Sequence, residues 1–315
     1  GGIRRSVFVQ QQGSYCDFYG GDSWVILSPI EQSIKKKIEA VGTPLKDWDI
    51  NIYRGVLTGY NDAFIITTSK RDEILSNCQN EDERKRTAEL IRPILRGRDI
   101  KRYSYDWANL WLIWVPWHFP LHNDTSIQGA SERAEKAFQT HYPALYNHLL
   151  AYKKELSARN KAETGIRYEW YALQRWGANY WEDFFKPKVM YPNMTKYIPF
   201  YYDTCGFYQN DKSFMITGRH IAFLTAFLNS SIFKFCFLNN FPELQGGTRE
   251  LRKVFFDKIP VIQIDDKLNE QFASLISDMQ NNPTVEKAKS IDELLFDVYG
   301  LTDTERDVIG FIVIQ

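Results

Sequence analysis

Cysteine is scarce and unpatterned in this 315-residue chain: Cys16, Cys78, Cys205 and Cys236 are scattered without any CxxC spacing. That argues against a zinc ribbon or a disulfide framework and fits buried thiols in a reducing cytoplasm. Net charge is missing too. The 39 Lys and Arg side chains balance 39 Asp and Glu, which argues against indiscriminate binding to a polyanion. There is no uninterrupted apolar run of membrane length. The most apolar window, HIAFLTAFLNSSIFKFCFLNNF from His220, is broken by Asn229, Ser230, Ser231 and Lys234 and reads as a buried helix. The opening GGIRRS has neither an initiator Met nor a charged-then-apolar leader, so a fragment of a larger protein is expected.

Catalytic motifs are absent as well. His118 and His122 have i, i+4 spacing, but Pro120 between them forbids a regular helix and no carboxylate completes a ligand set. His141 and His148 have no nucleophile motif nearby. A magnesium-dependent nuclease needs an acid and a second acid-x-Lys unit on adjoining strands. Asp72 with Glu83 and Lys85, and Asp257 with Asp265 and Lys267, match that pattern only loosely. An Asn/Asp-Pro-Pro-aromatic turn for amine methylation, a GxxxxGK[ST] phosphate loop, a GxSxG elbow and a strand-to-helix GxGxxG are all lacking. No catalytic centre or cofactor is therefore expected on this chain.

What is present is a folded, aromatic-rich chain. The 44% hydrophobic and 25% charged composition is that of a globular protein, expected as one main domain with flanking elements. At 15%, aromatic residues are numerous enough to fill a core and also to stack on bases or sugars. Ser28 and Pro29 open a helix carrying Ile30, Ile34, Ile38 and Val41, which Gly42 stops. DINIYRGVLTGYNDAFIITT reads as a strand pair around a turn at residues 57–62, and NEDERKRTAELIRPILRG as a helix ended or kinked by Pro93. Helices are expected from Ser131 to Arg159, the second opened by Pro143. Strands follow in KPKVMYP, KYIPFYYD and SFMITG, then one apolar helix from about His220 to Asn239, and two or three short helices after Asp266.

The cations are clustered. LIRPILRGRDIKRY holds Arg96, Arg98, Lys101 and Arg102; a second group comprises Gln174, Arg175, Lys186, Lys188, Asn193 and Lys196; QGGTRELRK adds Gln245, Arg249, Arg252 and Lys253. Arginine grips phosphates or reads guanine, Gln and Asn read adenine, and glycine lets backbone amides approach phosphates. Any one cluster also reads as an ordinary solvated face. Three together point to nucleic acid.

The ordered series GTPLKDWDINIYRGVLTGYNDAFIIT, IRPILRGRDIKRYSYDWANLWLIW, YEWYALQRW, KPKVMYPNM, FLNSSIFKF, GGTRELRK, FFDKIPV and IDELLFDVYGLTDTE resembles the C-terminal part of TaqI-like and type IIG restriction-modification proteins, from about Ser28 onward. The resemblance implies a target recognition domain that binds double-stranded DNA and presents an adenine to a methyltransferase domain of the same polypeptide. The implied fold is α+β: a twisted, partly barrel-like β region with inserted helices and a C-terminal helical tail. The expected division is 1–48 as a linker from the methyltransferase domain, 49–265 as the recognition domain and 266–315 as the tail. S-adenosylmethionine, and Mg if a nuclease is fused, would belong to the parent protein. RGRDIKRY matches a family signature in which Asp99 orients Arg98 or Arg96; Thr58, Gly59, Tyr60 and Asn61 form either a tight loop near DNA or a hairpin turn. The rival expectations are a magnesium-dependent nuclease and a protein-interaction scaffold of a phage-defence system. No membrane partner is expected.

Overall fold

Helix α1 (Pro29–Val41) starts as its sequence requires. The Ser28 hydroxyl accepts from the Glu31 amide at 3.3 Å, and Pro29 occupies the first turn, where no N–H is needed. The computed structural model describes residues 15–19 and 23–312; the opening GGIRRS lies outside them. Ile34 and Ile38 are buried, whereas Ile30 and Val41 at the ends of the same stripe are exposed. The chain then enters strand Gly42–Pro44, antiparallel to Pro260–Ile262, where a Cβ on Gly42 would lie 2.6 Å from the Pro260 backbone.

Two four-stranded sheets follow, built from β1 (Ile50–Arg54), β2 (Ile65–Thr67), β3 (Ile91–Leu95), β4 (Leu110–Ile113), β5 (Lys188–Pro192), β6 (Tyr201–Asp203), β7 (Tyr208–Gln209) and β8 (Ser213–Gly218). The first has the order β6-β5-β8-β1, antiparallel throughout; the second has the order β7-β3-β4-β2, with β7 parallel to β3. Among the described residues no sheet closes into a barrel. The class is α+β, with helices inserted between the strands and at the C-terminus.

Three local expectations are corrected. β1 and β2 do not pair with each other. Ile52 lies opposite Ile216 and Ile66 opposite Trp111, because residues 55–60 carry the chain from one sheet to the other instead of turning back. Helix α2 (Glu81–Leu90) ends before Pro93, which sits in β3 opposite Trp111; buried Ile91, Ile94 and Leu95 draw the segment into the sheet. The long apolar helix is two, α5 (Ile221–Leu228) and α6 (Ser231–Cys236), counting α3 (Glu132–His141) and α4 (Pro143–Leu150) before them. The break is chemical. Ser230 Oγ accepts from the Phe233 amide at 3.1 Å, and the Asn229 side chain bonds Phe200 N at 3.1 Å and Phe200 O at 2.8 Å.

Each sheet has its own core. α1, α5, α6 and the C-terminal helices α7 (Asp266–Asn281), α8 (Val285–Val298) and α9 (Asp303–Ile309) pack on Val189, Tyr191 and Ile216 of the first sheet. The second core joins Ile94 and Leu112 to Phe138, Leu145 and Leu149 of α3 and α4, and Met215 reaches it from β8. Covered on both faces, β5 is buried at every residue and shows no alternation. The segments 1–48 and 266–315 thus contribute α1 and α7–α9 to the core of the first sheet. Gln280 seals the free edge of that sheet: its amide accepts from Tyr202 N at 2.9 Å and donates to Tyr202 O at 2.8 Å. No helix among the described residues is long and apolar enough to cross a membrane.

Candidate nucleic-acid interface

The Thr58–Asn61 loop is a built turn. Thr58, 2% exposed, donates from Oγ1 to Asn61 Oδ1 at 2.6 Å and accepts from the Tyr60 amide at 3.1 Å. Gly59 has φ +79°, and a Cβ there would lie 2.5 Å from Gln174 Oε1. Leu57 and Arg175 exchange backbone hydrogen bonds at 3.0 and 2.9 Å. Beneath both segments lies Arg159, 6% exposed. It donates to the carbonyls of Leu156 (3.0 Å), Thr58 (2.6 Å), Trp170 (2.7 Å) and Ala172 (2.7 Å). Two segments more than a hundred residues apart in sequence are thereby fixed against each other.

From there a seam of backbone contacts runs to the other clusters. Gly55 N donates to Ser213 O and Val56 N to Gln209 O, at 3.0 and 2.8 Å. Arg54 Nε donates to Asp211 O at 2.7 Å. The Asn210 carboxamide oxygen accepts from the amides of Gly97 and Lys212, both at 3.2 Å. A Cβ on Gly97 would lie 2.5 Å from Lys212 O, so the Gly97–Asp99 turn approaches only as glycine allows. Lys212 O in turn accepts from Asn193 N, and Asn193 O from Leu251 N, at 2.9 and 2.8 Å. Strand Met194–Thr195 pairs with Arg249–Glu250. The turn at Asn210–Lys212 thus touches the Gly97 turn and Asn193 directly, and is linked to Arg175 through residues 55–57 and to Leu251 through Asn193. Arg54, Arg159, Asn210 and Lys212 were not singled out from sequence; the usable signal was the turn composition of Asn-Asp-Lys-Ser between two β runs.

Many of the expected DNA contacts are already engaged. Lys188 is fully buried, bonded to Asp203 Oδ2 at 2.5 Å and Phe184 O at 2.7 Å, and this removes it from any surface role. Burial pushes its ammonium below the ordinary lysine range, against the pull of Asp203. Asp99 orients Arg96, not Arg98, through two 3.0 Å bonds that raise the Arg96 pKa. Arg175 is held by both oxygens of Glu163 at 2.8 and 3.0 Å, and Lys253 by Asp257 at 3.0 Å. Arg249 donates to Phe241 O and Asn239 Oδ1; Arg102 Nε donates to Asn229 O. Arg252 lies 4.0 Å from Glu250. Arg98, Lys101, Lys196 and Lys212 are exposed and have no ion-pair partner among the described residues. Gln245 is exposed in the Gln245–Gly247 turn, and Tyr60 leans on Tyr152 with ring centroids 6.1 Å apart.

The other titratable candidates have structural partners. His118 Nδ1 is 2.9 Å from Glu169, which also accepts from the amides of His118 and Ser131. Asp265 caps α7 by accepting from Leu268 N at 2.8 Å. No group of three or more His, Cys, Asp or Glu among the described residues is placed to hold a metal ion.

The profile of the TaqI-like C-terminal specificity domain matches residues 92–261. A search of curated protein sequences finds no match. Among solved structures, the chain is similar to the type IIL restriction-modification enzyme MmeI in complex with DNA: TM-score 0.54, 13% identity, 85% of this chain and 35% of that one. It also matches the type IIG restriction endonuclease BpuSI at TM-score 0.46 and 13% identity, over 86% and 33% of the two chains. The chain thus spans about a third of the length of these solved proteins. At this identity the MmeI likeness establishes the shared fold.

Proposed function

Because this chain belongs to the family of TaqI-like C-terminal specificity domains, we propose that it reads a short sequence in duplex DNA. It holds the site for a methyltransferase domain of the same cytoplasmic polypeptide, with residues 49–265 as the reading body and 1–48 leading from the catalytic domain. That domain extrudes and methylates an adenine, and S-adenosylmethionine, with Mg where a nuclease is fused, binds there. The observation that carries the reading is that backbone contacts centred on the Asn210–Lys212 turn join the three cation clusters and the Thr58–Asn61 loop, with Arg98, Lys101, Lys196 and Lys212 exposed and without an ion-pair partner among the described residues. Such cations set register on phosphates, while Gln174, Asn193, Gln245 and Asn61 supply amides for base edges.

Neutral overall charge fits a local field of this kind, since Glu163, Asp99, Asp203 and Asp257 pair with Arg175, Arg96, Lys188 and Lys253 and leave Arg98, Lys101, Lys196 and Lys212 without acidic partners among the described residues. Affinity for a duplex enriched from a randomised pool should fall steeply with salt. Arg98→Ala, Lys101→Ala and Lys212→Ala should each flatten the log–log slope by about 0.9 per lost phosphate contact. An unchanged slope in all three variants, or a pool from which no sequence is enriched, would instead mark a scaffold.

A further inference from the structure

Beside the Thr58–Asn61 loop, the chain from Gln174 to Tyr180 and the side chain of Trp117 surround an open cleft of about 200 Å³. Drug-sized ligands occupy roughly 300–1,000 Å³, so this space suits one planar ring system. Its walls are Trp117, Trp176 and Tyr180, all partly exposed. Each ring is braced from behind: Trp117 stacks on Tyr168 at 4.6 Å, Tyr180 on Tyr53 at 4.5 Å, and Trp176 meets Trp114 edge-on at 5.8 Å. The polar edges of two of the rings are committed to the main chain, since Trp117 Nε1 donates to Leu173 O and the Tyr180 hydroxyl to Arg54 O, both at 2.8 Å. The guanidinium groups of Arg167 and Arg175 lie 5.5 and 5.9 Å from the Trp117 ring, so the ring surface left for a ligand is mainly that of Trp176 and Tyr180. Beside it stand the side-chain amides of Gln174 and Asn179, which have no hydrogen-bond partner among the described residues.

We infer that this cleft receives one base of the bound duplex, unstacked from its neighbours and laid against the aromatic wall, with the Gln174 amide at its edge. The inference rests on the DNA-reading function proposed above. The lining of the cleft is joined to the seam described above by the Leu57–Arg175 backbone pair and by the Tyr180 hydroxyl on Arg54 O, so a duplex gripped along that seam comes within reach of it. Aromatic stacking accepts any base, and a carboxamide presents the donor and acceptor that pair with an adenine edge. The adenine destined for methylation goes to the catalytic domain, so the base taken up here is a different one.

The test uses the full-length protein and its enriched duplex, with each base replaced in turn by its photoreactive halogenated analogue. At one position, irradiation should join the base to Trp117, Trp176 or Tyr180. Ala178→Trp fills the cleft from an exposed rim position without removing a buried contact. It should abolish that crosslink and weaken binding roughly five- to hundred-fold, the range that base–aromatic stacking spans. Gln174→Leu should keep the crosslink and lose preference among bases at that position. Tight binding with no crosslink to these rings, or an Ala178→Trp protein that binds as well as the parent, overturns the inference and leaves DNA reading intact. Absence of binding to any duplex by the parent protein defeats both.

Discussion

Arg159→Met is expected to destabilise the protein by about 4 kcal/mol and to weaken DNA binding more than the loss of any single surface cation. Bonds to a charged donor are worth roughly 1.5–3 kcal/mol each, and unpaired buried acceptors cost about 1–3 kcal/mol, partly offset by relief of burying a guanidinium. Here the carbonyls of Leu156, Thr58, Trp170 and Ala172 all lose their donor at once. No carboxylate among the described residues pairs with this cation. Burial lowers its pKa to about 10, and the rings of Phe64 and Tyr168 lie 5.5 and 5.8 Å from it. The residue persists because its planar fork ties the Thr58 loop to the irregular segment leading to Gln174, a geometry that lysine cannot reproduce. Urea unfolding should therefore rank Arg159→Met below Arg159→Lys, and both below the parent. A midpoint for Arg159→Met within about 1 kcal/mol of the parent, with DNA affinity retained, would show that packing alone holds the two segments together.

The sequence disclosed what is decided locally and hid what is decided at long range. Ser28 with Pro29, Ser131 and Pro143 announced helix starts because capping acts within three residues. The Arg96–Asp99 pair was within reach for the same reason, although which arginine was held needed the turn itself. Strand partners were illegible: β1 pairs with β8 across the whole inserted helical region, and nothing in INIYR specifies SFMITG over a nearer strand. The fate of each cation was equally hidden. Glu163 neutralises Arg175 from twelve residues away across an irregular loop, and Asp203 meets Lys188 across adjacent antiparallel strands. Arg159 closes the helical stretch expected from Ser131, and nothing local in the sequence signals that the fold turns it inward. The α+β class and the recognition role were reachable because an ordered series of short motifs survives where individual side-chain geometry does not.

Asp203→Ala is expected to cost about 3–5 kcal/mol at pH 6, the usual penalty for leaving one half of a buried pair uncompensated. Lys188 would keep only the Phe184 carbonyl, and the Cys205 and Phe207 amides would lose their acceptor. The sign of the pH dependence follows from burial, which already holds the Lys188 pKa low and would do so further without its partner. Above the folded pKa the unfolded chain binds the extra proton, so the variant's stability should climb with pH until lysine in the unfolded chain also titrates, near pH 10. Lys188→Met with Asp203→Leu removes both charges and should lose that slope, recovering much of the stability at pH 6. Within DNA binding the same pair gives a sharp contrast. A lysine with no exposed surface contributes no phosphate contact, so Lys188→Met should leave the salt slope unchanged where Lys212→Ala flattens it. A salt slope that drops by one contact in Lys188→Met would mean that the strand opens to present this side chain, and the buried pair would then be a latch released on DNA.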